Sequence, residues 1–168
     1  NFIWAKNLPG EARGISIDNL GEVYISGSYG GTKSFGSITL TALNSADGFA
    51  AKLDSAGTVI WAQSLGGQGG DYPESIAVDD IGNVYATGSF RSDTLFAGSD
   101  TLFNSNAVTP DFFIITLNSS NGSFDWAKSV GENGYEYGYG ITTDSNNVIY
   151  VTGTYASDSI QVGSTWLH

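Results

Sequence analysis

Cysteine and methionine are absent from the 168-residue chain, and histidine occurs once, as His168 at the last position. Without cysteine there is neither a disulfide framework nor a thiolate metal site. A lone terminal histidine, where a tag remnant would also sit, leaves no H-E-x-x-H motif and no Ser-His-Asp triad. Basic residues are scarce: 6 Lys+Arg stand against 17 Asp+Glu, a formal net charge of -11. A nucleic-acid partner, which needs clustered Lys and Arg along its phosphates, is excluded on that balance. No apolar run approaches the roughly 20 residues of a spanning helix, and no signal-peptide pattern is visible. The lack of methionine leads us to expect a segment of a longer translated chain. The opening residues Asn1 to Trp4 read as strand, which places the cut inside folded sequence.

What is present points to β structure. Aromatic residues make up 13% of the chain and glycine contributes 23 residues. Such a composition is too rich in packing side chains for disorder. The chain also repeats, which outranks its length as a guide to organisation. VYISGSY (Val23 to Tyr29) returns as VYATGSF (Val84 to Phe90) and IYVTGTY (Ile149 to Tyr155). Each copy follows an Asp-led turn, at Asp18, Asp79 and Asp144. A short apolar segment precedes each turn: GISID, SIAVD and GITTD. Trp4, Trp61 and Trp126 mark a further segment (FIWAKNL, VIWAQSL, FDWAKSV), and DGFAAKLDSAG and DFFIITLNSSNG precede the last two of these.

Each full unit thus holds four short runs, A (GISID), B (VYISGSY), C (FAAKL) and D (VIWAQSL). Alternation and β-branched or aromatic enrichment make all four strands, joined at A–B and C–D by tight turns. The expected fold is all-β: β-propeller blades of four antiparallel strands, about two and three-quarter of them, belonging to a larger toroid of about 4 to 8 blades. Residues 1–10 are expected to supply strand D of a preceding blade, 11–67 blade 1, 68–132 blade 2, and 133–168 the start of blade 3. The strand-B glycines, Gly27, Gly88 and Gly153, are expected to mark a bulge or a close backbone approach, one that lets neighbouring blades pack. The three tryptophans are expected to form core between blades. The B–C links, about residues 30–46, 91–110 and 156 onward, are expected to be long loops.

The pieces WAQSLGGQGGDYPESIAVDDIGNVYATGSF and WAKSVGENGYEYGYGITTDSNNVIYVTGTY resemble the SBBP-type bacterial β-propeller repeat, most closely the version in multi-repeat secreted proteins of Bacteroidota. The resemblance covers essentially the whole chain. The first unit departs from it, with Pro9 to Arg13 in place of the Asp-Tyr-Gly part. The resemblance implies an extracellular or cell-surface protein and no single activity, since fold does not settle function.

Placed on a propeller, the D–A and B–C connections share one face, and binding usually lives on such loops. Aligning the repeats sets Tyr72 opposite Tyr137 and Asp71 opposite Glu136, while Tyr135 and Tyr139 occur in one unit only. These six residues are the candidate ligand rim. Rings stack on the apolar faces of sugars, and carboxylates accept their hydroxyl hydrogens. The competing reading has Tyr72 and Tyr137 wedged between blades. Asp54-Ser55-Ala56, Asp93-Thr94-Leu95, Asp100-Thr101-Leu102 and Asp158-Ser159-Ile160 resemble the O-glycosylation triplet of Bacteroidota, with Ser55, Thr94, Thr101 and Ser159 as candidate acceptors in turns or loops. Asp-Ser and Asp-Thr are also ordinary turn residues.

The Asp-led turns do not fit the calcium loop D-x-[DN]-x-[DN]-G-x5-E. No metal ligand set and no cofactor are therefore assigned, and calcium where neighbouring loops meet has no placed site. There is no phosphate loop, and nothing singles out one carboxylate pair for glycoside hydrolysis. The expected protein is a non-enzymatic extracellular module for adhesion, scaffolding or binding of a protein or glycan ligand, working beside the rest of its parent chain and without a membrane span. A carbohydrate-binding or carbohydrate-active propeller is the alternative.

Overall fold

The computed structural model describes residues 4–106 and 108–168. Fourteen strands and no helix are found among them. Residues Asn1 to Ile3 of the expected opening strand lie outside the described residues.

The first sheet runs β1 (Glu11–Ile17), β2 (Val23–Phe35), β3 (Ile38–Leu53) and β4 (Val59–Leu65), antiparallel and in chain order. The second contains β5 (Asp71–Val78) and β6 (Asn83–Phe90). Its chain then makes the hairpin β7 (Thr94–Ala97) and β8 (Asp100–Phe103) before returning as β9 (Asp111–Asn118) and β10 (Phe124–Val130). The third repeat gives β11 (Glu136–Thr143) paired with β12 (Ile149–Tyr155), followed by the hairpin β13 (Ile160–Val162) and β14 (Thr165–Leu167). Runs A, B, C and D are consecutive neighbours in each full sheet. The A strand β5 packs against β1 on one side and β11 on the other, while each D strand forms the opposite edge of its sheet. The sheets therefore fan out from a hub of A strands.

Three expectations are corrected. Trp4 to Leu8 form no strand: a D strand pairs with a C strand, and the sheets of the described residues give this segment none. Even so, the Trp4 indole donates to the Ser55 carbonyl at 2.9 Å, just as Trp61 donates to Ser119 at 2.9 Å. Each tryptophan thus reaches the C–D turn of the following blade, as inter-blade packing requires.

The B–C links are hairpins rather than loops. Phe35 pairs with Ile38, Ala97 with Asp100 and Val162 with Thr165, leaving two-residue turns. Gly36, Gly98 and Gly163 carry φ of 64°, 63° and 61° at the first central position. That is the type II′ turn, whose twist matches paired strands. In blade 1 the hairpin simply prolongs β2 and β3. In blade 2 it folds onto blade 1, where Gly66 and Phe96 exchange backbone hydrogen bonds of 3.3 and 3.0 Å.

The strand-B glycine does mark a bulge, but one that serves its own blade rather than the packing of a neighbour. Gly88 pairs with Pro73 beside a bulge in β5, and Gly27 and Gly153 stand at the same kind of register shift in β1 and β11. A β-carbon on Gly88 would overlap the Tyr72 carbonyl oxygen and lie 2.7 Å from the Pro73 Cα.

The core lies between blades. Tyr24, Trp61 and Leu65 of blade 1 meet Ile76, Phe90, Phe113 and Ile115 of blade 2, with Leu95 and Leu102 of the hairpin joining them. Ala77, Tyr85 and Ile141 begin the equivalent seam between blades 2 and 3.

Candidate functional site

The A–B turns are built alike. Asp18 Oδ1 accepts the amides of Leu20 and Glu22, each at 2.9 Å, and Oδ2 accepts the Tyr24 hydroxyl at 3.0 Å. Asp79 holds Ile81, Asn83 and Tyr85 in the same way, and Asp144 holds Asn146, Val148 and Tyr150. Burial works against the charge of Asp18 and Asp79, but the backbone and tyrosine donors outweigh it and keep both below the usual carboxylate range. Asp144 is lowered first of all by the Val148 amide. These carboxylates clasp turns, with N–H and O–H donors where a calcium ion would need free oxygens.

The structure divides the six rim residues into two groups. Asp71 and Glu136 are fully buried. Asp71 accepts the Gly67 amide at 2.8 Å and the Ser92 hydroxyl at 2.7 Å. Glu136 accepts the Ser157 hydroxyl at 2.6 Å and the Glu132 amide at 3.3 Å. Each ties the D–A linker to the residues after strand B, so neither belongs to an exposed rim. The reason is strand geometry: neighbours along a strand point to opposite faces, and an acid beside an outward tyrosine points into the seam.

The tyrosines do form a surface. Tyr135, Tyr137 and Tyr139 line up on and beside β11 with ring centroids 6.5 and 6.0 Å apart and planes inclined by only 18° and 4°. Tyr135 is 47% exposed and Tyr139 53%. The Tyr139 hydroxyl accepts a hydrogen from Thr154 at 3.5 Å. Tyr72, the counterpart of Tyr137 in blade 2, stays partly exposed although blade 3 packs behind its strand. The Arg13 guanidinium lies 5.6 Å from the centre of its ring and pairs with Glu74 at 2.6 Å.

Arg13 and Glu74 escape the sequence reading, and Tyr139, a rim candidate from the sequence, shares their backbone setting. Each is the extra residue of an A-strand bulge, between Ala12 and Gly14, Pro73 and Ser75, and Gly138 and Gly140. Bulges re-aim side chains, and here they bring one residue per blade to the hub. The small residue after the bulge position is the only signal that could have marked them.

Of the candidate glycosylation acceptors, Ser55 is exposed in the C–D turn and Thr101 is exposed on β8. Thr94 and Ser159 are half-buried. Thr94 and Thr101 thus sit in hairpin strands rather than in loops. An open apolar cleft of about 810 Å³ lies beside β12, lined by Phe112, Ile114, Val151 and Ile160 among others. In the seam between blades 1 and 2, the corresponding space is filled by Phe113 and Ile115 of β9, so the cleft is part of the packing seam.

Four-stranded antiparallel sheets fanned about a hub of A strands are blades of a β-propeller. Residues 60–89, from β4 through β6, match the family model described as the SBBP beta-propeller repeat, and the chain carries a repeat of that family. The chain is also 29% identical over 139 residues, 77% of its length, to an uncharacterised WD repeat-containing protein of Acanthamoeba polyphaga mimivirus. It spans 10% of that relative's length. Among the described residues no helix is long and apolar enough to cross a membrane.

Proposed function

We propose that this propeller segment is a non-catalytic, extracellular binding module of a larger protein, serving adhesion or scaffolding and taking its ligand at the hub. The observation that carries the reading is the tyrosine ladder of β11. Three parallel rings with two outer members about half exposed are a costly surface to leave in water unless something covers it. A row of phenol rings on β11, with the Arg13–Glu74 pair on the neighbouring A strands, favours a glycan as that ligand, because rings cover apolar sugar faces while hydroxyls and charges bond sugar hydroxyls. The acidic balance of the chain and the secreted proteins it resembles support the extracellular setting. No residue set capable of catalysis enters the proposal, and the module works without a cofactor.

A glycan array with the intact chain tests this. Binding is expected to fall at least tenfold in Tyr139→Ala and in Tyr137→Ala, about the contribution of one aromatic contact plus its buried area. Binding that survives both substitutions removes the ladder as the site. An array without hits points to a protein ligand. Release of reducing sugar from a polysaccharide panel would show the module to be an enzyme.

A further inference from the structure

Each seam between blades holds two buried acids, one from strand C and one from the next strand A. At the first seam these are Asp47 and Asp71, and at the second Asp111 and Glu136; all four are at most 2% exposed. The pair grips the D–A linker from both sides. Asp47 lies against Gly66, where a β-carbon would overlap its carboxylate, and Asp71 accepts the Gly67 amide. Asp111 lies against Gly131 and Glu136 accepts the Glu132 amide in the equivalent arrangement.

Besides the exchange of Asp71 for Glu136, the two seams differ in what faces the strand-C acid. Asp111 takes the Ser105 amide on Oδ2 at 2.8 Å, and the Ser105 hydroxyl stands 2.8 Å from Oδ1 and 2.5 Å from the Glu132 carbonyl, sharing its one proton between them. Asp47 takes the corresponding amide, from Leu43, on Oδ2 at 3.2 Å, but leucine has no hydroxyl to give. The Asp47 Oδ1 is therefore buried without a hydrogen-bond partner. Around Asp47 stand the Asp71 carboxylate from β5, the Tyr29 hydroxyl from β2 and the Ser64 hydroxyl from β4, the last two bonded to each other at 2.7 Å. The ion pairs among the described residues, Arg13 with Glu11 and Glu74 and Lys52 with Glu22, do not involve Asp47.

We propose that the seam between blades 1 and 2 is a proton-operated clamp, in which Asp47 takes up a proton in mild acid and the linker between the blades is held more tightly. A proton on Oδ1 turns this unpaired acceptor into an O–H donor facing the Ser64 and Tyr29 hydroxyls and the Asp71 carboxylate, any of which accepts it, and removes the like charge facing Asp71. Burial first, then the Asp71 charge, pushes Asp47 up to about 6. For an acid raised in the folded state the penalty is absent below the unfolded value near 3.8, grows as pH rises, and is complete once pH has passed the folded value. The folding equilibrium constant is thus expected to fall roughly tenfold between about pH 5 and pH 7.5 through this one group.

The experiment is urea unfolding of the full chain at both pH values, with hydrogen exchange at Gly67 as a local reading of the seam. Asp47→Asn is expected to abolish the tenfold component, whereas Asp125→Asn, an exposed change of equal charge, leaves it in place. Leu43→Ser, at an exposed position, restores the hydroxyl of the second seam and is expected to shrink the component while leaving the fold intact. A wild-type constant that does not fall, or a fall that persists undiminished in Asp47→Asn, overturns the proposal. So does a Leu43→Ser profile identical to wild type.

Discussion

Gly88→Ala is expected to cost about 3 kcal/mol or more, at the upper end of what overpacking a well-filled site costs. The added methyl group would overlap the Tyr72 carbonyl oxygen and crowd the Pro73 Cα. Both are backbone atoms, so no side-chain rotation relieves the clash. Relief requires the bulge of β5 to open, and with it the register from Asp71↔Phe90 to Pro73↔Gly88. That register orients Tyr72 and Glu74 toward the hub and Asp71 into the seam. Loss of the bulge therefore disturbs the packing of β5 on β1 as well as the ligand surface. Thermal unfolding gives the measurement. A substitution that costs less than 1 kcal/mol would mean that the bulge is soft and that the repeated glycine has another reason. As an internal comparison, Gly31 has open space around it but a φ of 65°. Alanine there meets backbone strain without a clash, and a cost of about 1 kcal/mol is expected.

Much of the fold was legible because each strand announces itself twice, by alternation and by the residues that end it. Asp18, Asp79 and Asp144 mark the A–B turns since an aspartate at that position satisfies two turn amides. The glycines of Phe35-Gly36-Ser37 and its two counterparts were equally visible. Their meaning was missed, because a two-residue turn joining short runs and a long link look alike until the runs are paired. The bulges were hidden for a related reason. Arg13, Glu74 and Tyr139 stand in segments whose alternation carries on after a slip of one residue, and the small residue that follows each of them is the sole mark the register shift leaves.

The candidate site was half legible for a simpler reason. Tyrosines repeated at matching places drew attention correctly, and the acids beside them were assigned to the same surface. Strand parity forbids that: Tyr72 and Asp71 cannot share a face, nor can Tyr137 and Glu136. The acids instead hold the seams, and their burial ties the stability of the hub to pH. Asp18 and Asp79, whose pKa values are lowered, stabilise the fold above the ordinary carboxylate range and cease to do so in strong acid. Asp47, raised to about 6, acts in the opposite direction. Together they place the greatest stability in the mildly acidic range, between the two titrations.

Trp61→Ala is expected to cost about 3 to 5 kcal/mol, the range for removing a buried tryptophan. Trp61 is 5% exposed and packs beside Tyr24, with ring centroids 6.2 Å apart. Its indole and the Lys52 ammonium both donate to the Ser119 carbonyl, at 2.9 and 3.0 Å. One blade is thereby latched to the C–D turn of the next through a single acceptor. Trp61→Phe keeps most of the apolar volume and loses the N–H. A cost of about 1 to 2 kcal/mol is expected, because the carbonyl retains Lys52 and is not left bare. Trp126 supplies the contrast. It is half-buried, its ring faces the Lys128 ammonium at 5.7 Å, and its indole has no hydrogen-bond acceptor among the described residues. Trp126→Ala is therefore expected to cost less than half as much as Trp61→Ala. Urea midpoints of the three variants decide the matter. Equal costs for Trp61 and Trp126 would show that the tryptophan stabilises its own sheet. The unequal order would show that it stabilises the seam.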